Sequence, residues 1–240
     1  MKDRVLNPYW GKLPPDKIAE GMNVARKNAA RLASDARTMF EAQQHETAAA
    51  LAILAIEESG KVSILRELAL ATDDREAKDS WKRLRSHTAK NAMWIFPELV
   101  GRGARRLYEF AGVFDPSSDH TEVLDKLKQV SIYSDCYGKG RWHQPAGTMT
   151  KDLAGHLVKT AELFSAGRDI VPREIELWIE HMAPVRRRSH GWQRKALANW
   201  WAQLQAEGLV PAGEVTMADF IWGPEQSSDG ESRLSNREDR

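Results

Sequence analysis

From Asp16 to about Gln44 apolar side chains recur at helical spacing (Ile18, Met22, Ala25, Ala29, Leu32, Ala33, Ala36, Met39, Phe40), and a second such stretch follows from about 47 to 71. A 3.6-residue period held this long selects amphipathic helix over strand. Gly and Pro cluster in a few places and leave long stretches unbroken. Asp16 is expected to cap the first helix, with Pro15 just outside it, and Thr47 to cap the second. Gly60, inside the second, costs about 1 kcal/mol relative to Ala and suits close helix packing. Further helices are expected at 75–95, 98–112, 121–130, 151–166, 173–183 and 191–207, and 216–222 reads as a short apolar piece. No strand-like alternation persists, so the expected fold class is all-α, with no sheet.

Charge and composition limit what such a bundle does. Lys+Arg is 35 and Asp+Glu 34, so the formal net charge is +1, which argues against a strongly basic coat for nucleic acid and leaves room for a local basic site. Positive residues cluster at 82–90, 102–106 and 186–195, balanced by Glu57-Glu58, Asp73-Asp74 and the tail. The lone Cys136 excludes an intrachain disulfide and a cysteine zinc cluster. The longest apolar run, Ala48 to Ile56, falls short of the roughly 20 residues that span a bilayer. The first residues lack the apolar core of a signal peptide. A cytoplasmic protein without membrane contact is expected. The polar segment 223–240 is expected to be disordered.

Four groups of residues carry candidate chemistry. In Trp81-Lys82-Arg83-Leu84-Arg85-Ser86-His87-Thr88-Ala89-Lys90-Asn91, one continuous helix would put Arg83 and His87 four residues apart on one face, with Lys90 and Asn91 a turn further on. An imidazole titrates near neutrality and can take a proton from a ribose 2′-hydroxyl. An arginine can hold phosphate oxygens with paired hydrogen bonds. The plainer reading is a solvated basic face. In Glu57-Glu58-x-Gly60-Lys61 the spacings give helix ion pairs, and the apolar flank implies a partly buried carboxylate in need of a partner. Di-metal bundles use Glu-x-x-His; the positions three after Glu57 and Glu58 are Gly60 and Lys61, so no metal is expected.

In the loop Tyr133 to Thr148, Tyr133, Trp142 and His143 are placed either to stack on bases or, with Pro145, to pin the loop to the bundle. The run Arg186-Arg187-Arg188 with His190, Trp192, Arg194 and Lys195 fits a nucleic-acid patch or, more simply, a solvated interhelical loop.

Read in series, Asn28-Ala29, Asp35-Ala36-Arg37, Leu51 to Lys61, Trp81, Arg85-Ser86-His87 with Lys90, Tyr133-x-Asp135, and Gly140-x-Trp142 with Pro145 resemble the AbiV family of abortive-infection proteins, in the HEPN superfamily. The resemblance covers about 20 to 165. It implies a HEPN-like helical bundle over 16–166, followed by a Trp-rich helical extension over 170–222 and the tail. It also implies a phage-defence protein acting as a metal-independent endoribonuclease that halts translation, often completed as a homodimer. Its partners would be RNA, not DNA, and a phage protein as activator, with no cofactor. Superfamily sites use Arg-x(4–6)-His; here three residues separate Arg83 from His87, one separates Arg85, and Lys82 stands at the four-residue spacing. On this reading His87, Arg83, Arg85 and Lys90 are catalytic, and Glu57, Glu58, Lys61, Asp35, Asn91, Tyr133, Asp135 and Trp142 support them. The alternative is a non-catalytic helical module that binds a phage protein or a translation component through the Trp-rich helices.

Overall fold

A computed structural model describes residues 7–115, 117–211 and 217–223, so the tail beyond Gly223 lies outside the described residues. The elements are α1 (Pro15–Glu41), α2 (His45–Ala69), α3 (Asp74–Arg85), α4 (His87–Lys90), α5 (Phe96–Gly101), α6 (His120–Ile132), β1 (Asp135–Tyr137), β2 (Arg141–His143), α7 (Lys151–Ser165), α8 (Pro172–Met182), α9 (His190–Ala206) and α10 (Met217–Trp222). They fall into two compact units. One comprises the residues through Trp94 and from 117 to Ile175; the other comprises Ile95–Asp115 and the residues from Glu176 onward.

The first unit is built around α2. Its run Ala48–Ile56 is apolar on all sides, which fits a helix enclosed by neighbours, and α2 packs against α1, α7, α6, α3 and α4. Ile53 and Ile56 are enclosed with Leu32, Leu124, Leu157 and Val158. Burying each such side chain contributes about 1.5–3 kcal/mol. Alanines at 33, 36, 48, 49, 52 and 55 keep the α1–α2 contact close. The two helices join through Ala42–Gln44, where Gln43 takes a left-handed backbone (φ 60°) that reverses the chain. This turn moves the expected caps. Gln44, not Thr47, precedes α2. Pro14 precedes α1 with Pro15 as its first residue, and Asp16 lies in the first turn, near the positive end of the helix.

Two further expectations are corrected. The helix expected over 75–95 is broken at Ser86, whose backbone is extended (φ −77°, ψ 134°) and whose hydroxyl accepts from the Ala89 amide to start α4. And although the fold class is all-α as expected, the described residues include one two-stranded hairpin where no sheet is expected. Strands β1 and β2 pair antiparallel, with Asp135 opposite His143, Cys136 opposite Trp142 and Tyr137 opposite Arg141. Gly138 and Gly140, both at positive φ, form its turn around Lys139.

In the second unit Leu177, Trp200, Leu204 and Val210 form a core, with the Trp178 and Trp200 rings 5.1 Å apart edge to face. Phe96 stacks on Phe110 at 4.5 Å, and Phe110 meets Phe220. Trp192 stays exposed, with the Arg188 guanidinium over its ring. No helix among the described residues is long and apolar enough to cross a membrane.

Candidate active site

The break at Ser86 decides where the basic residues of the third and fourth helices go. Upstream of it, Arg83 pairs with Glu67 of α2. Glu67 lies ten residues beyond Glu57 on that helix, about 15 Å along its axis. Arg85 lies over the Trp10 ring at 4.1 Å and donates to the Tyr9 and Trp81 carbonyls. It holds the N-terminal segment against α3, which Trp81 also does by donating to the Gly11 carbonyl. Downstream of the break the chain turns inward. Gly60 admits that approach: a Cβ there would overlap the Lys90 carbonyl oxygen, so only glycine lets α2 and α4 meet this closely.

The contact brings His87 and Lys90 to Glu57. Glu57 is buried, its side chain 3% exposed, and three nitrogens surround its carboxylate: His87 Nδ1 at 2.7 Å, Lys128 Nζ at 2.5 Å and Lys90 Nζ at 3.4 Å. His87 Nδ1 faces both the Glu57 carboxylate at 2.7 Å and the Lys128 ammonium at 3.1 Å; a ring hydrogen on Nδ1 serves the closer partner, since a carboxylate only accepts. That leaves Nε2 as the acceptor of the neutral ring. The His87 side chain is 55% exposed and no described residue bonds to Nε2. The arrangement is a buried carboxylate orienting an imidazole whose working nitrogen faces solvent, the geometry of a general base.

Lys128 is the residue the sequence reading lacks. It comes from α6, where Leu124, Lys128 and Ser131 are the buried positions. A lysine on the apolar stripe of an amphipathic helix is the signal that would find it, since a buried ammonium needs a partner. It also pairs with Asp125 at 2.8 Å. Glu57, His87 and Asp125 offer ligand atoms within 4.8 Å of one another, close enough to hold a metal ion. The Lys128 ammonium sits 2.5 and 2.8 Å from the two carboxylates and already supplies the positive charge such an ion would bring.

The two lysines respond oppositely to the same carboxylate. Burial holds the Lys90 ammonium below its ordinary value, against the pull of Glu57. Burial also works against Lys128, but its hydrogen bonds to Asp125 and Glu57 prevail and hold it above its ordinary value.

Of the other expected site residues, Glu58 and Lys61 form their own half-buried pair at 2.5 Å. Both lie near enough to Lys90 to act on its charge. Asn91 is fully enclosed, out of reach of a substrate. Asp35 pairs with Arg31 on the surface of α1. Asp135 accepts from the Cys136 amide at the start of the hairpin. Tyr133 and Trp142 are exposed.

The model of the HEPN_AbiV family, described as AbiV, matches residues 17–166, more than half of the chain. No curated protein and no solved structure matches.

Proposed function

Because the chain belongs to the AbiV family of HEPN proteins, a family of abortive-infection defence, we propose that it is a metal-independent endoribonuclease whose cleavage of RNA halts translation. One observation carries this reading: His87 is held through Nδ1 by the buried Glu57 while its other ring nitrogen is open to solvent. In the reaction Nε2 takes the proton of a ribose 2′-hydroxyl. The 2′ oxygen attacks the adjacent phosphorus in line and the bond to the 5′ oxygen breaks. That oxygen leaves as it takes up a proton, giving a 2′,3′-cyclic phosphate and a 5′-hydroxyl. Glu57 fixes the ring and stabilises the imidazolium that forms. Lys90 and Lys128 flank the Glu57 carboxylate with their ammonium groups.

A second reading has its own support. Arg83 and Arg85, the expected phosphate clamps, are engaged with Glu67 and with the Tyr9–Trp10 segment. With both of these arginines engaged away from His87, the site suits a non-catalytic module that binds a phage protein or a translation component. Overexpression of His87→Ala separates the two. On the ribonuclease reading the variant accumulates as a folded protein, loses toxicity and loses protection in a phage plating assay. Full protection by His87→Ala would favour the binding module.

A further inference from the structure

The hairpin that follows α6 presents aromatic surface to solvent without using it for packing. The sequence leaves two roles open for its rings, and the structure separates them. His143 is the anchor: its Nε2 lies 2.9 Å from the Val130 carbonyl, and the Tyr137 ring rests on it at 5.7 Å. Trp142 points the other way. It stands opposite the exposed Cys136 on the face away from His143, and it is 81% exposed. Leaving a ring of that size in water forgoes about 1.5–3 kcal/mol of burial, and nothing in the fold gains from it. Ile132, Tyr133 and Tyr137 of the same segment are also exposed, Tyr137 on the His143 face, and Lys139 at the turn and Arg141 next to Trp142 in the strand add two positive charges.

An exposed ring flanked by flexible cations is the combination that holds single-stranded nucleic acid: bases stack on the ring, and phosphates pair with the cations. Position supports the same ligand. Lys128 is four residues, about 6 Å of helix rise, from the end of α6, and the hairpin begins three residues after that end. We infer that the β1–β2 hairpin is a docking platform for single-stranded RNA, with Trp142 stacking on a base and Lys139 and Arg141 neutralising phosphates. The inference rests on the ribonuclease reading for the identity of its ligand.

The test measures binding of a fluorescein-labelled twelve-nucleotide oligouridylate by anisotropy across a salt series, with the full chain carrying His87→Ala so that RNA stays intact. Trp142→Ala in this background weakens binding about 10-fold, as loss of one stacked base requires, and Trp142→Phe restores most of it. Lys139→Ala with Arg141→Ala lowers the slope of log affinity against log salt by about 1.4, the value for two phosphate contacts on a single strand. All three positions are exposed, and unchanged circular dichroism melts confirm the fold. Binding by these variants indistinguishable from the parent, or no binding by the parent, would overturn the platform. Failure of the ribonuclease reading registers separately, as no cleavage of the same oligonucleotide by the protein with His87 in place.

Discussion

Replacing Lys128 with Met removes the closest cation from Glu57 and leaves a buried carboxylate with a neutral imidazole and a more distant ammonium at 3.4 Å. An uncompensated buried charge is expensive, so Lys128→Met should lower unfolding free energy by about 3–5 kcal/mol. Lys90→Met should cost less than about 1 kcal/mol or stabilise, because burial opposes the Lys90 charge and Glu57 keeps Lys128. Urea unfolding of the two variants checks the contrast. The pH dependence has a definite sign. Lys90, lowered in the folded state, binds fewer protons there than when unfolded. Its contribution to stability therefore rises with pH between the lowered value and the ordinary one. Lys128, raised in the folded state, contributes stability that is complete below the ordinary lysine value and is lost as pH climbs through the raised one. In Lys90→Met the alkaline gain should vanish and only the Lys128 loss remain.

At the scale of elements, Gly60 and Gly21 are both interior helical glycines, and their surroundings predict opposite outcomes. At Gly60 an added Cβ collides with backbone of α4, so Gly60→Ala should destabilise by about 1–3 kcal/mol despite the better helix propensity of alanine. At Gly21 the Cβ would meet the Leu65 side chain at ordinary contact distance, Cδ1 at 3.4 Å and Cδ2 at 3.9 Å, so Gly21→Ala should be neutral or stabilising by up to about 1 kcal/mol. Thermal melts of the pair decide this.

The same helices show what periodicity conveys. The long helices α1 and α7 read directly from apolar spacing, because each buries a stripe, and α2 reads from its continuous apolar run. The break at Ser86 does not, since no Gly or Pro marks it. A serine hydroxyl capping the next turn competes with the helix there, and only the fold selects it. The hairpin strands, three residues each, are too short to show alternation, although the Gly138-Lys139-Gly140 turn is visible in the sequence. Glu57, His87 and Lys90 are legible as chemistry, but their convergence depends on Gly60 and on a lysine from a helix some forty residues away. The Arg83–His87 stripe, which spacing alone suggests, requires a continuous helix that the Ser86 break removes.

For the whole molecule, the formal charge of +1 conceals a division of labour. Lys90 and Lys128 at the centre hold Glu57, while Lys126 on α6 and Lys139 and Arg141 on the hairpin carry charge at the surface. The chain belongs to the AbiV family over 17–166, and its tryptophan-bearing second unit buries Trp200 in a core of its own. On the proposed reading the chemistry lies in the first unit, on His87. The most direct test is cleavage of a defined single-stranded RNA by the purified protein in excess EDTA, beside its His87→Ala counterpart. The wild type should cut without metal and leave 2′,3′-cyclic phosphate ends, while His87→Ala should lose at least about 100-fold in rate, as removal of a general base entails. Equal cleavage by the two proteins, or cleavage by the wild type that EDTA abolishes, would contradict that reading.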